Sequence, residues 1–116
     1  MPSPTSMWRA AALAVLACAT IACGIPLPAD KAAFAGEWRG EHTLLVISAD
    51  GRVVYELVRP GESKKLDLPL QSFEGNQFSV GLGPLSSTFV VNAPPRQVAG
   101  VWTMTVDGVA LVRQGQ

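Results

Sequence analysis

The sequence predicts an all-β domain, a small antiparallel meander of about seven to eight short strands closing into a barrel, placed after an N-terminal signal peptide. Three observations predict it. Beyond Phe34 helical periodicity is absent, and Gly or Pro interrupts nearly every stretch long enough to test for it. Two Asp-Gly pairs, Asp50-Gly51 and Asp107-Gly108, stand between apolar runs, the strongest short-range hairpin signal because a tight two-residue loop needs positive φ at both positions. Period-2 alternation is clean in two places. Leu66, Leu68 and Leu70 alternate with Lys65, Asp67 and Pro69, and Phe78, Val80 and Leu82 with Gln77, Ser79 and Gly81. Short strands, frequent turns and no helix argue for a meander that closes on itself.

The leader comes first. Arg9 is a short positive region, and residues 10–22 carry no charge and one hydroxyl, Thr20. That length suits the apolar core of a signal peptide and falls short of the roughly 20 apolar residues of a membrane span. Both cysteines, Cys18 and Cys23, lie in or at the edge of this segment, and none follows. A disulfide between them would staple nothing, whereas small secreted domains place cysteines in their body. Ala19-Thr20-Ile21-Ala22-Cys23 resembles the bacterial lipobox, in which a small residue precedes a cysteine that is acylated and becomes the new N-terminus; Thr20 stands where that motif usually has Leu. Val15-Leu16-Ala17-Cys18 is a rival, but it leaves a shorter apolar core behind Arg9. The resemblance implies a lipid anchor at Cys23. Gly24 in the place after the cysteine implies sorting to the outer membrane, on its periplasmic face. Plain secretion into the periplasm after cleavage at an Ala, and an uncleaved anchor, are the alternatives. Residues 23–33 then read as lipidated terminus and tether, extended by Pro26 and Pro28, and residues 34–116 as a single barrel domain.

Composition narrows the function. Nine Lys plus Arg balance nine Asp plus Glu, with one His, and no basic stripe supports nucleic-acid binding. Removing residues 1–22 takes one cation and no acid, so the remaining chain carries a formal charge of −1. A domain of this size folds alone but cannot combine a large cavity with a full core.

The hairpins can be paired on paper. With Asp107-Gly108 as a two-residue loop, Val106 faces Val109, Met104 faces Leu111, and Trp102 faces Arg113. Treating Asp50-Gly51 likewise pairs Val46 with Tyr55 and Leu44 with Leu57. The expected core is then Trp38, Leu44, Val46, Tyr55, Leu57, Trp102, Met104, Val106 and Leu111, with His42 on the same side; a one-residue slip would flip an entire strand. The outward positions of the first hairpin, Leu45, Ile47, Val54 and Val58, form an apolar patch of the kind that marks a partner surface unless a second sheet covers it. Pro60-Gly61, Gly75-Asn76, Gly83-Pro84 and Pro94-Pro95 read as further reversals, and residues 91–96 as a second candidate contact loop.

Phe34-Ala35-Gly36-Glu37-Trp38 carries Gly-x-Trp at the entry to the first strand, and Arg113 ends the last. In this the domain resembles lipocalin-like (calycin-like) barrels, where the indole closes one barrel end and a late Arg packs across it. The resemblance implies a barrel-end or ligand face involving Trp38, Trp102, Arg113 and Tyr55. This domain is much shorter than a typical lipocalin and lacks body cysteines. Arg113 reads as a half-buried cation over Trp102 or Trp38 or, alternatively, as an anion site at a barrel mouth.

Chemistry is sparse. No Ser sits in a Gly-x-Ser-x-Gly elbow, His42 is the single histidine, and no phosphate loop or dinucleotide fingerprint occurs, so no catalytic residue, metal or cofactor is assigned. Glu37 and Glu41 share a strand face with Arg39 between them, a solvated stripe. The expectation is a non-enzymatic binding or interaction module, an inhibitor or assembly accessory with an envelope protein partner, held on the bilayer by Cys23. A carrier of a small apolar ligand is the alternative, requiring a pocket of roughly 300 Å³ or more. A small hydrolase would need His42 or an acid pair converging in a cleft.

Overall fold

The computed structural model describes residues 24–115. The signal peptide expected over residues 1–22, Cys18 and the expected acylation site Cys23 lie outside the described residues. Eight strands follow a short 3-10 helix, Ala29–Phe34: β1 (Gly36–Gly40), β2 (Thr43–Ile47), β3 (Arg52–Arg59), β4 (Glu62–Glu74), β5 (Gln77–Leu82), β6 (Leu85–Val98), β7 (Val101–Val106) and β8 (Val109–Arg113). Each pairs antiparallel with the next, and β1 closes on β8 through Trp38↔Arg113 and Arg39↔Val112. The all-β closed meander is therefore the fold.

Two strands are long. β4 spans 13 residues and β6 spans 14, and each pairs with one neighbour over its first part and the other over its second. A bulge at Gln71 divides β4, and irregularities at Asn92 and at Pro94-Pro95 divide β6. Proline cannot donate to a ladder, so a bulge is where a strand tolerates it. Pro94-Pro95 thus bends a continuous strand rather than reversing the chain, and residues 91–96 are not a loop. The reversal lies at Ala99-Gly100, where both residues have positive φ, 53° and 81°.

The second hairpin has the expected register: Val106 faces Val109 and Met104 faces Leu111, with Asp107 and Gly108 at φ 48° and 79°. The first does not. Leu45 faces Tyr55 and Ile47 faces Val53. Ser48 N donates to Arg52 O at 2.9 Å, Gly51 N donates to Ser48 O at 3.1 Å, and only Gly51 of the loop has positive φ, 96°. This is a three-residue loop with glycine at the left-handed position. The extra residue flips β2, so Leu45 and Ile47 point inward, and Leu44 and Val46 point outward, contrary to expectation.

The core holds Trp38, Leu45, Ile47, Val53, Leu70, Phe78, Val80, Met104 and Leu111, all under 3% exposed. Four ring contacts run along the barrel: Phe34–Phe73 at 4.8 Å, Phe73–Phe78 at 5.2 Å, Phe78–Phe89 at 5.0 Å and Phe89–Tyr55 at 5.2 Å. Such pairs add roughly 0.5–1.5 kcal/mol each beyond the area they bury.

The extended tether expected over residues 24–33 is instead docked. Gly24 forms a parallel bridge with Leu70, Ile25 N donates to Leu70 O at 3.2 Å, and Leu27 N donates to Ala49 O at 3.0 Å. The 3-10 helix then places Phe34 in the core, while Lys31 lies 5.2 Å from the Phe73 ring centre and donates from Nζ to Gly75 O.

Candidate functional site

The meander sorts its turns into two ends. One end gathers the 3-10 helix, the β2–β3, β4–β5 and β6–β7 turns and the β8 terminus; the other gathers the β1–β2, β3–β4, β5–β6 and β7–β8 turns. The four residues expected on one barrel-end or ligand face divide between them.

Trp38, Trp102 and Arg113 meet at the first end. The Trp38 indole is fully buried and donates from Nε1 to Phe34 O at 2.9 Å. The Arg113 guanidinium sits 5.8 Å from the Trp38 ring centre and 4.9 Å from that of Trp102, and donates from Nη1 to Ala35 O at 3.3 Å. A Cβ on Gly36, at φ 140°, would stand 2.8 Å from Arg113 Cδ, so the glycine of Gly-x-Trp makes room for the arginine stem. With the guanidinium spent on two rings and a carbonyl, this end is a seal. The structural reading of Arg113 accounts for its contacts, and no anion site is needed to explain them.

Tyr55 is at the opposite end. Its ring packs edge-on to Phe89. Partial burial raises its pKa above 10.0, and the carboxylates of Asp107 and Glu62 push the same way against the opposing pull of Arg59. Beneath it a cavity of about 20 Å³ is bounded by Thr43, Leu45, Tyr55, Phe89, Val109 and Leu111. That is room for about one water and far below the roughly 300 Å³ at which ligand pockets begin. The rings and aliphatic side chains of the core occupy the interior.

Two larger concavities lie outside the barrel, on either side of the Glu41-His42 turn. One, about 280 Å³, is lined by Arg39, His42, Leu44, Glu56 and Val58; the other, about 290 Å³, by Glu41, His42, Leu57, Arg59 and Val109. His42 holds φ 61°, a left-handed conformation in which His is enriched among non-glycine residues, and Val58 N donates to His42 O at 2.9 Å. The imidazole is therefore at an exposed turn and not on the core side. Ion pairs rim these grooves: Arg39–Glu37 at 2.9 Å, Arg59–Glu62, and Lys65–Glu56 at 3.5 Å. Exposed pairs of this kind contribute about 0–1 kcal/mol, so they shape the surface more than they hold it. Among the described residues no three His, Asp or Glu side chains gather to hold a metal ion.

The expected partner patch does not form. Leu45 and Ile47 are 1% and 2% exposed, Val54 is half-buried, and only Val58, 60% exposed, lies open. The cause is the register shift of β2. The outward residues it substitutes, Leu44 and Val46, are half-buried between the charged strands β1 and β3. Two features escaped sequence reading. Asp107, assigned to its turn alone, also accepts from Val90 N through Oδ1 at 2.9 Å, while Asn92 Oδ1 accepts from Gly108 N at 2.7 Å, which ties the β7–β8 turn to β6. Leu82 and Leu85, paired across the β5–β6 tip, are 62% and 74% exposed. Alternation alone places Leu82 inside, but Gly81 at φ 153° has Leu85 O where its Cβ would be, and the strand coils there.

No helix among the described residues is long and apolar enough to cross a membrane. The chain matches no family model, no curated protein and no solved structure.

Proposed function

We propose that the chain is a bacterial envelope lipoprotein, acylated at Cys23, whose barrel is a non-enzymatic module binding a macromolecule through its outer surface at the open end. The filled core supports this reading: rings meet in series from Phe34 to Tyr55, and the cavity beneath Tyr55, about 20 Å³, is far too small for an apolar cargo, which favours recognition on the exterior. The grooves flanking His42 are concave surfaces at that end, and their balanced charge and exposed Val58 suit a protein surface better than a nucleic acid. The lipobox-like Ala19–Cys23 supports the anchor, and two or more acyl chains, at roughly 0.8 kcal/mol per buried methylene, hold a domain of this size stably on a membrane.

The test has two arms. Acyl labelling of the native chain should be abolished, and the domain released from membranes, by Cys23→Ala; labelling that persists moves the anchor to Cys18. A photo-crosslinking residue at His42 should yield one discrete heavier adduct in native membranes, whereas the same residue at Ala99, on the sealed end, should yield none. Equal patterns from both positions would defeat the assignment of the open end.

A further inference from the structure

We infer that the β5–β6 hairpin tip, Leu82 to Leu85, is the surface by which the anchored barrel rests on the lipid bilayer. This builds on the lipoprotein reading above. The first observation is where the chain enters the barrel. Gly24, the residue after the proposed acylation site, is bridged to Leu70, and Ile25 N is bonded to Leu70 O. An acyl chain on Cys23 would therefore begin at the barrel wall, and the docked segment 24–34 leaves no slack to lift the domain away.

The second observation is what lies beside that point. On the far side of β4, Leu70 pairs with Val80 of β5, so chain entry and hairpin flank one strand about 10 Å apart, two strand spacings. Gln71 connects them: its neighbour Leu70 bonds Ile25, and its own amide donates to Gly83 O at 3.3 Å. At this corner Ile25, Leu82 and Leu85 are 42%, 62% and 74% exposed.

The third observation is charge. No charged residue occurs from Gly75 to Pro95, nor from Gly24 to Ala29. The outward side chains of the hairpin are Gln77, Ser79, Ser86, Thr88 and Val90, with Ser79 and Thr88 hydrogen-bonded to each other at 3.0 Å. The ion pairs Glu37–Arg39, Arg52–Asp67, Glu56–Lys65 and Arg59–Glu62 all lie on β1, β3 and the first half of β4. An uncharged face with apolar tips can enter the headgroup layer without desolvating a charge, and the charged face cannot.

The experiment uses the mature acylated chain in phosphatidylethanolamine–phosphatidylglycerol vesicles. Leu85→Cys, and separately Glu37→Cys on the opposite wall, carry an environment-sensitive fluorophore, and the mass of the mature terminus is read on the same samples. The label at 85 should be quenched several-fold more strongly than that at 37 by nitroxides on the lipids, and adding Leu82→Ser should reduce this several-fold while leaving the melting temperature unchanged. With the terminus acylated, equal weak quenching at both positions overturns the inference and leaves the anchor standing. Shielding of the label at 85 from an aqueous quencher without lipid quenching means a protein covers the tip, and also overturns it. An unmodified terminus refutes the lipoprotein reading and takes this inference with it.

Discussion

The two ends of this barrel are built from the same meander and do opposite things. At the sealed end the 3-10 helix, Phe34, Trp38 and Arg113 interlock: a buried indole donates to a helix carbonyl, a guanidinium lies over two rings, and a glycine is required for the fit. At the open end the packing thins to Tyr55, Phe89 and a cavity of about 20 Å³, and the β1–β2, β3–β4 and β7–β8 turns carry charged side chains, among them Glu41, Glu62 and Asp107. The difference teaches where the cohesion of the domain resides. The barrel concentrates its cohesion at one end, where rings, cation and helix carbonyl interlock, and leaves the other with thinner packing.

The largest break in that contrast is Trp38→Ala. Removing a fully buried indole costs about 3–5 kcal/mol from lost burial and the cavity left behind, a large share of the roughly 5–15 kcal/mol of a small domain. Urea denaturation of the variant should show a midpoint shifted far down or no folded baseline. A loss under 1 kcal/mol would mean the sealed end is not the keystone. Next is Gly36→Ala. Its Cβ meets the Arg113 stem at 2.8 Å, at a φ of 140° that side chains rarely adopt, so the arginine must move off the rings. A loss of about 1–3 kcal/mol is expected by thermal melting, with a change in tryptophan emission as the cation leaves.

The two Asp-Gly hairpins explain how much of this was legible. Asp107-Gly108 lies in a sequence whose apolar positions alternate, Trp102, Met104 and Val106 against Thr103 and Thr105, so its face was set before its turn was known. Thr43-Leu44-Leu45-Val46-Ile47 offers no alternation, and everything rested on the turn. Ser48-Ala49-Asp50-Gly51 has Ser at the first and Gly at the fourth place, the signature of a type I turn whose glycine becomes the bulge of a three-residue loop. The signal was present but one residue wider than the pair that drew attention, and it moved Leu45 and Ile47 from the surface to the core. The docking of residues 24–34 had no local signature; it depends on long-range partners, Leu70 and Phe73, that spacing does not reveal. The Gly-x-Trp and the distant Arg113 did meet as expected, because each has its fit written in residue type: a bare Cα, a flat ring and a flat cation.

Arg113→Lys sharpens the same comparison at smaller cost. The ammonium keeps the charge but loses the planar stacking over both rings and the fork that reaches Ala35 O, so a loss of about 1 kcal/mol is expected. The counterpart at the open end is His42→Gly. Glycine accepts the φ of 61° without strain, so stability should hold or rise by less than about 1 kcal/mol. If the two substitutions had equal and opposite-to-expected effects in denaturant melts, the division between a cohesive and a permissive end would fail.

The smallest effect concerns Tyr55 and appears only in alkali. Burial first, then the carboxylates of Asp107 and Glu62, hold its phenol protonated past 10.0 in the folded state, whereas in the unfolded chain it ionises at its ordinary value. Folding therefore binds a proton in that window. The sign follows: the contribution is fully present below 10.0 and is lost as pH rises through the folded value, because ionisation then favours the unfolded chain. Tyr55→Phe leaves the edge contact with Phe89 and removes the ionisation, so its denaturation midpoint should match the parent at neutral pH and fall less steeply above 10.0. Since Tyr55 is the chain's one tyrosine, its phenolate absorbance reads the same titration directly. A folded phenolate forming at the ordinary value would mean that water reaches the hydroxyl freely, and that the open end is wetter than its packing against Phe89 allows.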